Sequence, residues 1–434
     1  MSVGKDDLRK RLARLGVTQG SEFKPKPAPA RTTGIEDVLD GHVLTTQAGQ
    51  LYEVVHTYEA STRRGIFDLA DWLGQDLHTL ARITGLDPAP LPELNQFIFL
   101  DTETTGLGGA GAIPFMVGLG LFNTARQFEV HQFFLRDPSE EEALLSLLHK
   151  VITPQHAVVT FNGRNFDIPL LATRYILSRQ QTYLGALANV DLLHPARRLW
   201  QRRLPSCALS ALEGDILGIE RTHADVPGSL IPYLYQKYLQ TGDGGDMARV
   251  FYHNEQDILS MVVLAVILTR TFSGPDMMTL PVEDRLSLAR WYEQQHMLAE
   301  SESAYRSAVE DAPDAELRYL ALTSFAGLLK RLNRREEAVP LWEYLADLKI
   351  DIAGHEELAK YYEWHALDVA RAVEWTEQGL GLAMAWRPGI QRVEALAVLE
   401  HRHARLIRKL SGTASNDDAA EEGLTANQMA GDEL

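Results

Sequence analysis

The sequence predicts a mixed α/β sheet with flanking helices, followed by a second, all-helical region. Its 434 residues exceed what one hydrophobic core usually organises, so two or three domains are expected. Between about 95 and 275, short strand-like apolar runs alternate with helical ones. From 281 to 410 only helical spacing is present, and it repeats at roughly 34 residues. These three observations set the predicted fold class.

Two smaller segments precede the α/β region. Residues 1–34 contain a short helical pattern and then KPKPAPARTTG, whose three prolines break a helix, so a flexible N-terminal segment is predicted. Residues 35–94 hold alternating apolar and polar runs, such as HVLTT and LYEVVHTY, between glycine turns. This pattern predicts a small β-rich extension.

The α/β region, residues 95–275, opens with three strand-like runs, QFIFLD, MVGLGLF and FEVHQFFL. A helix over EEALLSLLHKVI, a strand over AVVTFN and another helix follow in order. Three antiparallel strands, a helix, a parallel strand and another helix are the order of a ribonuclease H-like fold. That fold is therefore predicted for this region.

The helical region, residues 281–410, carries an internal repeat. Two units match the spacing of a tetratricopeptide repeat, a third fits with one loop a residue longer, and three are about the minimum for a stable stack. The matching positions are Leu288, Tyr292, Ser301, Tyr305, Ala308, Pro313, Phe325, Ala326, Leu329, Ala338, Trp342, Leu358, Tyr362, Ala372 and Trp375. Residues 411–434 are rich in small, polar and acidic residues, which predicts a disordered acidic tail.

Composition limits the class of protein. With 45% hydrophobic and 23% charged residues the chain is typical of a soluble globular protein. A net charge of −17 disfavours a long nucleic-acid-binding surface but is compatible with an acidic metal site beside a small basic groove. The single cysteine, Cys207, excludes an intramolecular disulfide and a thiolate metal cluster. The N-terminus lacks the apolar core of a signal peptide and the run 258–268 is too short to cross a bilayer, so a cytoplasmic location away from membranes is expected.

Two carboxylates, Asp101 and Glu103, stand at the end of the first predicted strand. Positions i and i+2 of a strand face the same side, so the two converge, and a hydrated Mg²⁺ or Mn²⁺ would relieve their repulsion. A polar strand end leading into a turn is the alternative. The TTGL that follows adds hydroxyls and an apolar side chain, so Thr104 and Leu107 are predicted to contact substrate; Leu107 fits a turn residue packed on the core equally well.

Two further elements are predicted to reach the same edge. The strand AVVTFN delivers Asn162 there, and the next helix begins near Asp167, where the helix dipole favours a carboxylate. Taken alone, these two would be a turn residue and a helix cap. Asp257 lies at the edge of a strongly apolar helix, with His253 one turn earlier on the same face. His253 is a candidate general base for an attacking water, and a surface histidine is the alternative.

The densest basic stretch is HPARRLWQRRLP, residues 194–205. Arginines bind phosphates and an aromatic ring stacks on a base, so Arg198 and Trp200 are predicted to bind substrate. A solvated helix face with one buried tryptophan is the alternative.

Together these elements resemble the three exonuclease motifs of the DEDD superfamily of proofreading-type nucleases. The matches are Asp101-x-Glu103, Asn162-x-x-x-Phe166-Asp167, and Asp257 with an upstream His or Tyr. Wider stretches such as DLLHPARRLW and LSALEGDILGIER resemble the YprB-like branch of ribonuclease H-like proteins, in which a nuclease domain is coupled to helical repeats. The resemblance implies that the four acids hold two Mg²⁺ or Mn²⁺ ions, and that the chain is a 3′→5′ exonuclease.

The third motif departs from both branches of that superfamily. The Tyr-type branch has tyrosine four residues before the last aspartate, where this chain has His253. The His-type branch has histidine five residues before, where this chain has Tyr252. The identity of the general base stays open, and the i, i+4 spacing favours His253.

Two other functions fit the same sequence. A structure-specific endonuclease would use the same site without enclosing a 3′ end. A catalytically silent nucleic-acid-binding or scaffold protein would act through its helical repeats, which present a groove to a protein partner. The expected nucleic acid, DNA or RNA, is single-stranded or has a free 3′ end.

Overall fold

The computed structural model describes residues 33–106, 111–274 and 277–412. Leu107 and nearly all of the predicted flexible segment and acidic tail lie outside the described residues.

A seven-stranded mixed sheet forms the centre of the first region, in the order β1–β2–β7–β6–β5–β8–β9. Strands β5, β6 and β7 are antiparallel neighbours, and β8 and β9 run parallel to β5, which confirms the predicted order. Strand β2 pairs with β7, so the predicted β-rich extension lengthens the same sheet. The strands are β1 Gly41–Thr46, β2 Gly49–Tyr58, β3 Arg63–Arg64, β4 Phe67–Asp68, β5 Phe97–Thr104, β6 Pro114–Phe122, β7 Phe128–Phe134, β8 Ala157–Thr160 and β9 Asn189–Asp191.

Helices cover the sheet and then continue alone. Those of the first region are α1 Leu77–Thr84, α2 Glu141–Val151, α3 Asp167–Leu177, α4 Leu193–Trp200, α5 Ile231–Thr241 and α6 Met247–Ser273. Shorter helical turns are Ile35–Val38, Leu69–Gly74, Leu94–Gln96, Pro138–Glu140, Leu184–Ala186, Leu209–Leu212 with the π-helical Glu213–Leu217, Gly228–Leu230 and Met277–Thr279. The second region holds α7 Val282–Gln294, α8 Leu298–Asp311, α9 Ala315–Arg331, α10 Arg335–Leu348, α11 Ala353–Trp364, α12 Val369–Ala385 and α13 Ile390–Leu410.

The second region confirms the all-helical prediction, because successive helices from α7 to α13 pack against their neighbours in the chain. Most predicted repeat positions are buried between them, including Tyr292, Ala308, Phe325 and Trp342. Large and small side chains alternate there because paired helices must interdigitate.

Helix α6 is the longest in the described chain and crosses the sheet over β5 and β6. It is long and apolar enough to span a bilayer, but 78% of its most apolar window is buried inside the protein. It is the core helix of a folded domain, and its apolar run contacts the sheet on one side and helices on the other.

A glycine of β6, Gly118, allows α6 to lie directly on the sheet. A methyl group at Gly118 would overlap the side chains of Asn254 and Ile258, both on α6. Gly118 is also the cross-strand partner of Asp101, so this close approach brings α6 next to that carboxylate.

We therefore expect Gly118→Ala to lower the free energy of unfolding by about 1–3 kcal/mol, the usual effect of overpacking. Urea unfolding measures it. Gly381→Ala is the matched control, because Gly381 lies within α12 with open space where its Cβ would be. The control should be neutral or slightly stabilising. Equal stability of the two variants would contradict a tight contact between α6 and β6.

Candidate metal and active site

Asp101 and Glu103 lie in β5, which continues to Thr104 rather than ending at Asp101 as predicted. Strand β5 extends beyond Asp101 because β6 continues to pair with it up to Thr104, with a register shift between Glu103 and Thr104. Side chains two apart in the strand share a face, so both carboxylates point to the same side of the sheet.

The other two acids are brought to β5 by helices. Helix α3 begins at Asp167, whose carboxylate accepts a hydrogen bond from the Thr102 hydroxyl of β5. Asp257 lies on α6, the helix that crosses β5, and like-charge repulsion between Asp257 and Asp101 raises the pKa of Asp101. The structure therefore groups the four acids that the sequence singled out.

Asn254, one turn before Asp257 on α6, holds Asp101 in place and was not predicted from the sequence. Its Nδ2 donates to Asp101 Oδ2 over 2.8 Å. Gln132 of β7 donates in turn to Asn254 Oδ1 over 2.9 Å and to the Phe251 carbonyl over 2.7 Å. Both amides are fully buried, so the chain of hydrogen bonds fixes the orientation of the Asp101 carboxylate.

The electrostatics of the four acids favour a cation. Burial, then the charges of Asp257 and Asp167, raise the pKa of Asp101 well above its ordinary value. Burial and the Asp101 charge do the same to the pKa of Glu103. Burial also raises the pKa of Asp167 to about 6 and raises that of Asp257, although His253 and Arg221 oppose the latter shift. Glu103 and Asp167 are buried and Asp101 and Asp257 are partly buried, so four negative charges here are costly without a counter-charge.

The donor set suits a hard divalent ion such as Mg²⁺ or Mn²⁺, because it consists of carboxylate oxygens. Among the residues that the structure describes, no three histidine, cysteine or acidic side chains surround one point at metal-ligand spacing. Asp101, Asp167 and Asp257 each accept a hydrogen bond from a different protein donor. Binding of an ion by all four acids would therefore require their side chains to rotate.

Arg221, from the segment between the π-helix and α5, is a second residue that sequence reasoning missed. Its guanidinium donates to Asp257 and, over 2.5 and 2.8 Å, to the two carboxylate oxygens of Glu213. Burial lowers the pKa of Arg221, but these two carboxylates raise it above its ordinary value. Glu213 is 1% exposed, so Arg221 supplies the charge that balances a buried acid beside the site.

His253 lies between two carboxylates. Its Nδ1 is 2.8 Å from Asp225 Oδ1 and its Nε2 is 3.6 Å from Asp257 Oδ2. Arg221 Nη1 also lies 3.1 Å from His253 Nδ1, a longer distance than the 2.8 Å to Asp225 Oδ1. Because a carboxylate can only accept a hydrogen bond, we assign a proton to Nδ1 that it donates to Asp225. Tyr252, the other candidate, has its hydroxyl 3.3 Å from the backbone N–H of Thr222 instead.

Asn162 lies in the loop between β8 and α3 with a left-handed φ of 67°. Its backbone N–H donates to Asp191 Oδ1 over 2.9 Å, and Asp191 also accepts from the N–H groups of Arg164 and Leu193. Asp191 is thus a loop-organising acid, and Asn162 is exposed in this loop. Thr104 is buried and its hydroxyl donates to the Gly106 carbonyl over 2.7 Å, so it is used within the turn.

The predicted role of Trp200 is wrong. Trp200 is 2% exposed and belongs to the core, so its ring is not free to stack on a base. Helix α4 buries one face, with Leu193, Ala196 and Leu199 beside the tryptophan, and leaves its arginines on the other. Arg198 is on that exposed face, 5.3 Å from the centre of the Trp291 ring.

Comparison with known proteins agrees with this geometry. Residues 98–269 match the family model described as RNase_H superfamily. "Uncharacterized protein YprB" of Bacillus subtilis (strain 168) is 34% identical over 372 residues, which cover 82% of this chain and 85% of that protein. A domain of this superfamily implies nuclease-type chemistry on nucleic acid, and ribonuclease H-like nucleases generally use divalent metals. The chain belongs to the YprB family of ribonuclease H-superfamily proteins.

Proposed function

We propose that the chain is a metal-dependent nuclease that removes nucleotides from the 3′ end of DNA or RNA. One observation carries the proposal: four buried or partly buried acids from β5, α3 and α6 are grouped around the end of β5, an interior strand of a ribonuclease H-like sheet. Carboxylates whose pKa values are raised by burial and by neighbouring acids, as those of Asp101 and Glu103 are, are typical of functional sites.

Asp101, Glu103, Asp167 and Asp257 are the residues that would hold two Mg²⁺ or Mn²⁺ ions. When bound, two such ions promote attack by water and stabilise the leaving 3′ oxygen of a phosphodiester. Asn254 keeps the Asp101 carboxylate aimed at the site through its 2.8 Å hydrogen bond.

His253 is the proposed general base. Because its Nδ1–H donates to Asp225, its Nε2 carries the free electron pair and faces Asp257. Nε2 accepts the proton that the attacking water loses, and Asp225 stabilises the resulting imidazolium.

The polarity of cleavage is tested with one strand labelled at either end, in DNA and RNA forms, with Mg²⁺ or Mn²⁺. A strand labelled at its 5′ end should shorten progressively, and a covalently closed single-stranded circle should survive. Cutting of the circle would replace the exonuclease by an endonuclease. If no substrate is cut in the presence of metal, the protein would instead have a binding or scaffold role.

Asp225→Asn is expected to lower kcat about tenfold with little change in KM, because it removes the group that orients His253. His253→Ala should lower kcat by about a hundredfold or more. The two effects should not add: in the His253→Ala background, Asp225→Asn should change nothing. Additive losses would show that Asp225 does not act through His253.

Metal binding should stabilise the protein more at alkaline than at acid pH. The raised carboxyl pKa values mean that the folded state binds protons more tightly than the unfolded state, so metal-free stability falls as pH rises from about 4 through about 6. A divalent ion competes with those protons. The Mn²⁺-induced rise in Tm should therefore be larger at about pH 8 than at about pH 5. An equal rise at both values, or none, would contradict metal binding by these acids.

A further inference from the structure

An arginine-lined cavity of about 410 Å³ lies between the nuclease domain and the helical region, where α4 packs against α7. Arg197 and Arg198 of α4 and Arg202 just after it form one side. Arg290 and Trp291 of α7 form the other, and the remaining lining residues are two glutamines and a serine. Among the residues that the structure describes, no acidic side chain lines the cavity.

The four arginines are exposed, and within the described ranges none of them has an ion-pair partner. This contrasts with most arginines nearby: Arg203 pairs with Asp284 over 2.8 Å, and Arg331 pairs with Glu293. The chain as a whole is acidic, with a net charge of −17, so four neighbouring arginines without ion-pair partners make this surface locally basic. Their mutual repulsion favours an anionic ligand.

The cavity is held in shape by both regions of the chain. The Arg203 guanidinium binds Asp284 with two parallel hydrogen bonds, 2.9 and 2.8 Å long, and so joins the turn after α4 to the first turn of α7. The Arg198 guanidinium lies over the Trp291 ring, which limits its rotation. An oriented guanidinium matches the paired oxygens of a phosphate.

Two features favour a nucleic-acid strand over a free phosphate. Helix α4 begins just after Asp191, whose carboxylate organises the loop that contains Asn162. This helix therefore leads from the loop beside the four acids to the cavity. The cavity shares Arg290 and Gln294 with a second groove of about 450 Å³ over α7, α8 and α9, in which the acid, Glu293, is paired with Arg331. A path of this kind suits a chain of phosphates.

We propose that this arginine cavity binds phosphates of the nucleic-acid strand upstream of the end that is cut, and that the first helical pair thereby serves as part of the substrate site. The proposal rests on the proposed nuclease function, and it gives the helical region a nucleic-acid ligand.

The test measures the affinity of the full-length protein for a labelled single strand by fluorescence anisotropy, in EDTA and over a range of salt concentrations. Arg202→Gln/Arg290→Gln should bind a single strand about tenfold more weakly than wild type. Its slope of log affinity against log salt should be smaller by about 1.4, from about 0.7 per lost phosphate contact. Arg126→Gln/Lys150→Gln removes the same charge from exposed positions elsewhere and should match wild type.

Unchanged affinity and slope in the cavity variant would overturn the proposal, as would binding of inorganic phosphate with no effect on strand affinity. With Mn²⁺ present, the variant should cut a long strand more slowly and a dinucleotide at the wild-type rate. The two failures are distinguishable. If wild type cuts and the variant binds and cuts like it, the cavity assignment fails alone; if wild type binds through the cavity but does not cut, the nuclease function fails alone.

Discussion

Asp101→Asn is expected to reduce metal-dependent cleavage by about a thousandfold or more and to raise the Tm of the metal-free protein. The loss follows because metal ligands supply several kcal/mol of transition-state stabilisation, and each 1.36 kcal/mol is about a factor of ten in rate. The gain in Tm follows because Asp101 is partly buried and its charge is repelled by Asp257 and Asp167, which raise its pKa. An amide keeps the volume and still accepts from Asn254.

The opposite directions of the two effects make this prediction specific. A variant that simply misfolds would lose both activity and stability. Glu316→Gln, an exposed acid on α9, is the control and should alter neither quantity. Retained cleavage in Asp101→Asn, or a lower Tm without metal, would contradict the role assigned to Asp101.

Arg221→Gln is expected to cost about 3–5 kcal/mol of unfolding free energy, the usual effect of removing one partner from a buried ion pair. Glu213 is 1% exposed and would lose two hydrogen bonds from Arg221. Arg64 lies 3.9 Å from Glu213 and cannot replace both. Asp257 would also lose its donor, so repulsion at the candidate site would rise.

Chemical unfolding measures this effect, and two variants calibrate it. Adding Glu213→Gln to Arg221→Gln should recover part of the loss, because the unpaired buried charge is removed. Arg334→Gln breaks surface ion pairs with Glu302 and Glu337, which solvent screens, and should lower the unfolding free energy far less. A loss of similar size in Arg221→Gln and Arg334→Gln would show that the Arg221 cluster adds little to stability.

The strands and the first two acids were predictable because their signals are local. Alternation in a strand places Asp101 and Glu103 on one face without knowledge of the fold, and the order of apolar runs gave the strand arrangement β5 to β8. The sequence pattern predicted that β5 ends at Asp101, but pairing with β6 continues the strand to Thr104.

Two residues beside those acids, Arg221 and Asp225, were not predictable from the sequence. Arg221 and Asp225 lie in an irregular segment with no periodic pattern, and their partners Asp257 and His253 are on a helix that follows much later in the chain. Asn254 had a usable signal, since it lies on the same helix as Asp257, one turn away. The prediction for Trp200 rested on its arginine neighbours in the sequence, but helical spacing places it on the apolar face of α4.

The central claim is that the four acids form the metal site of a nuclease, and a crystal soaked in Mn²⁺ tests it most directly. Anomalous difference density should show two peaks about 3.5–4 Å apart, bounded by Asp101, Glu103, Asp167 and Asp257. In that state the Asp257 carboxylate should turn from Arg221 towards the ions. No peak at this edge of the sheet at saturating Mn²⁺, or peaks only at other acids, would contradict the account.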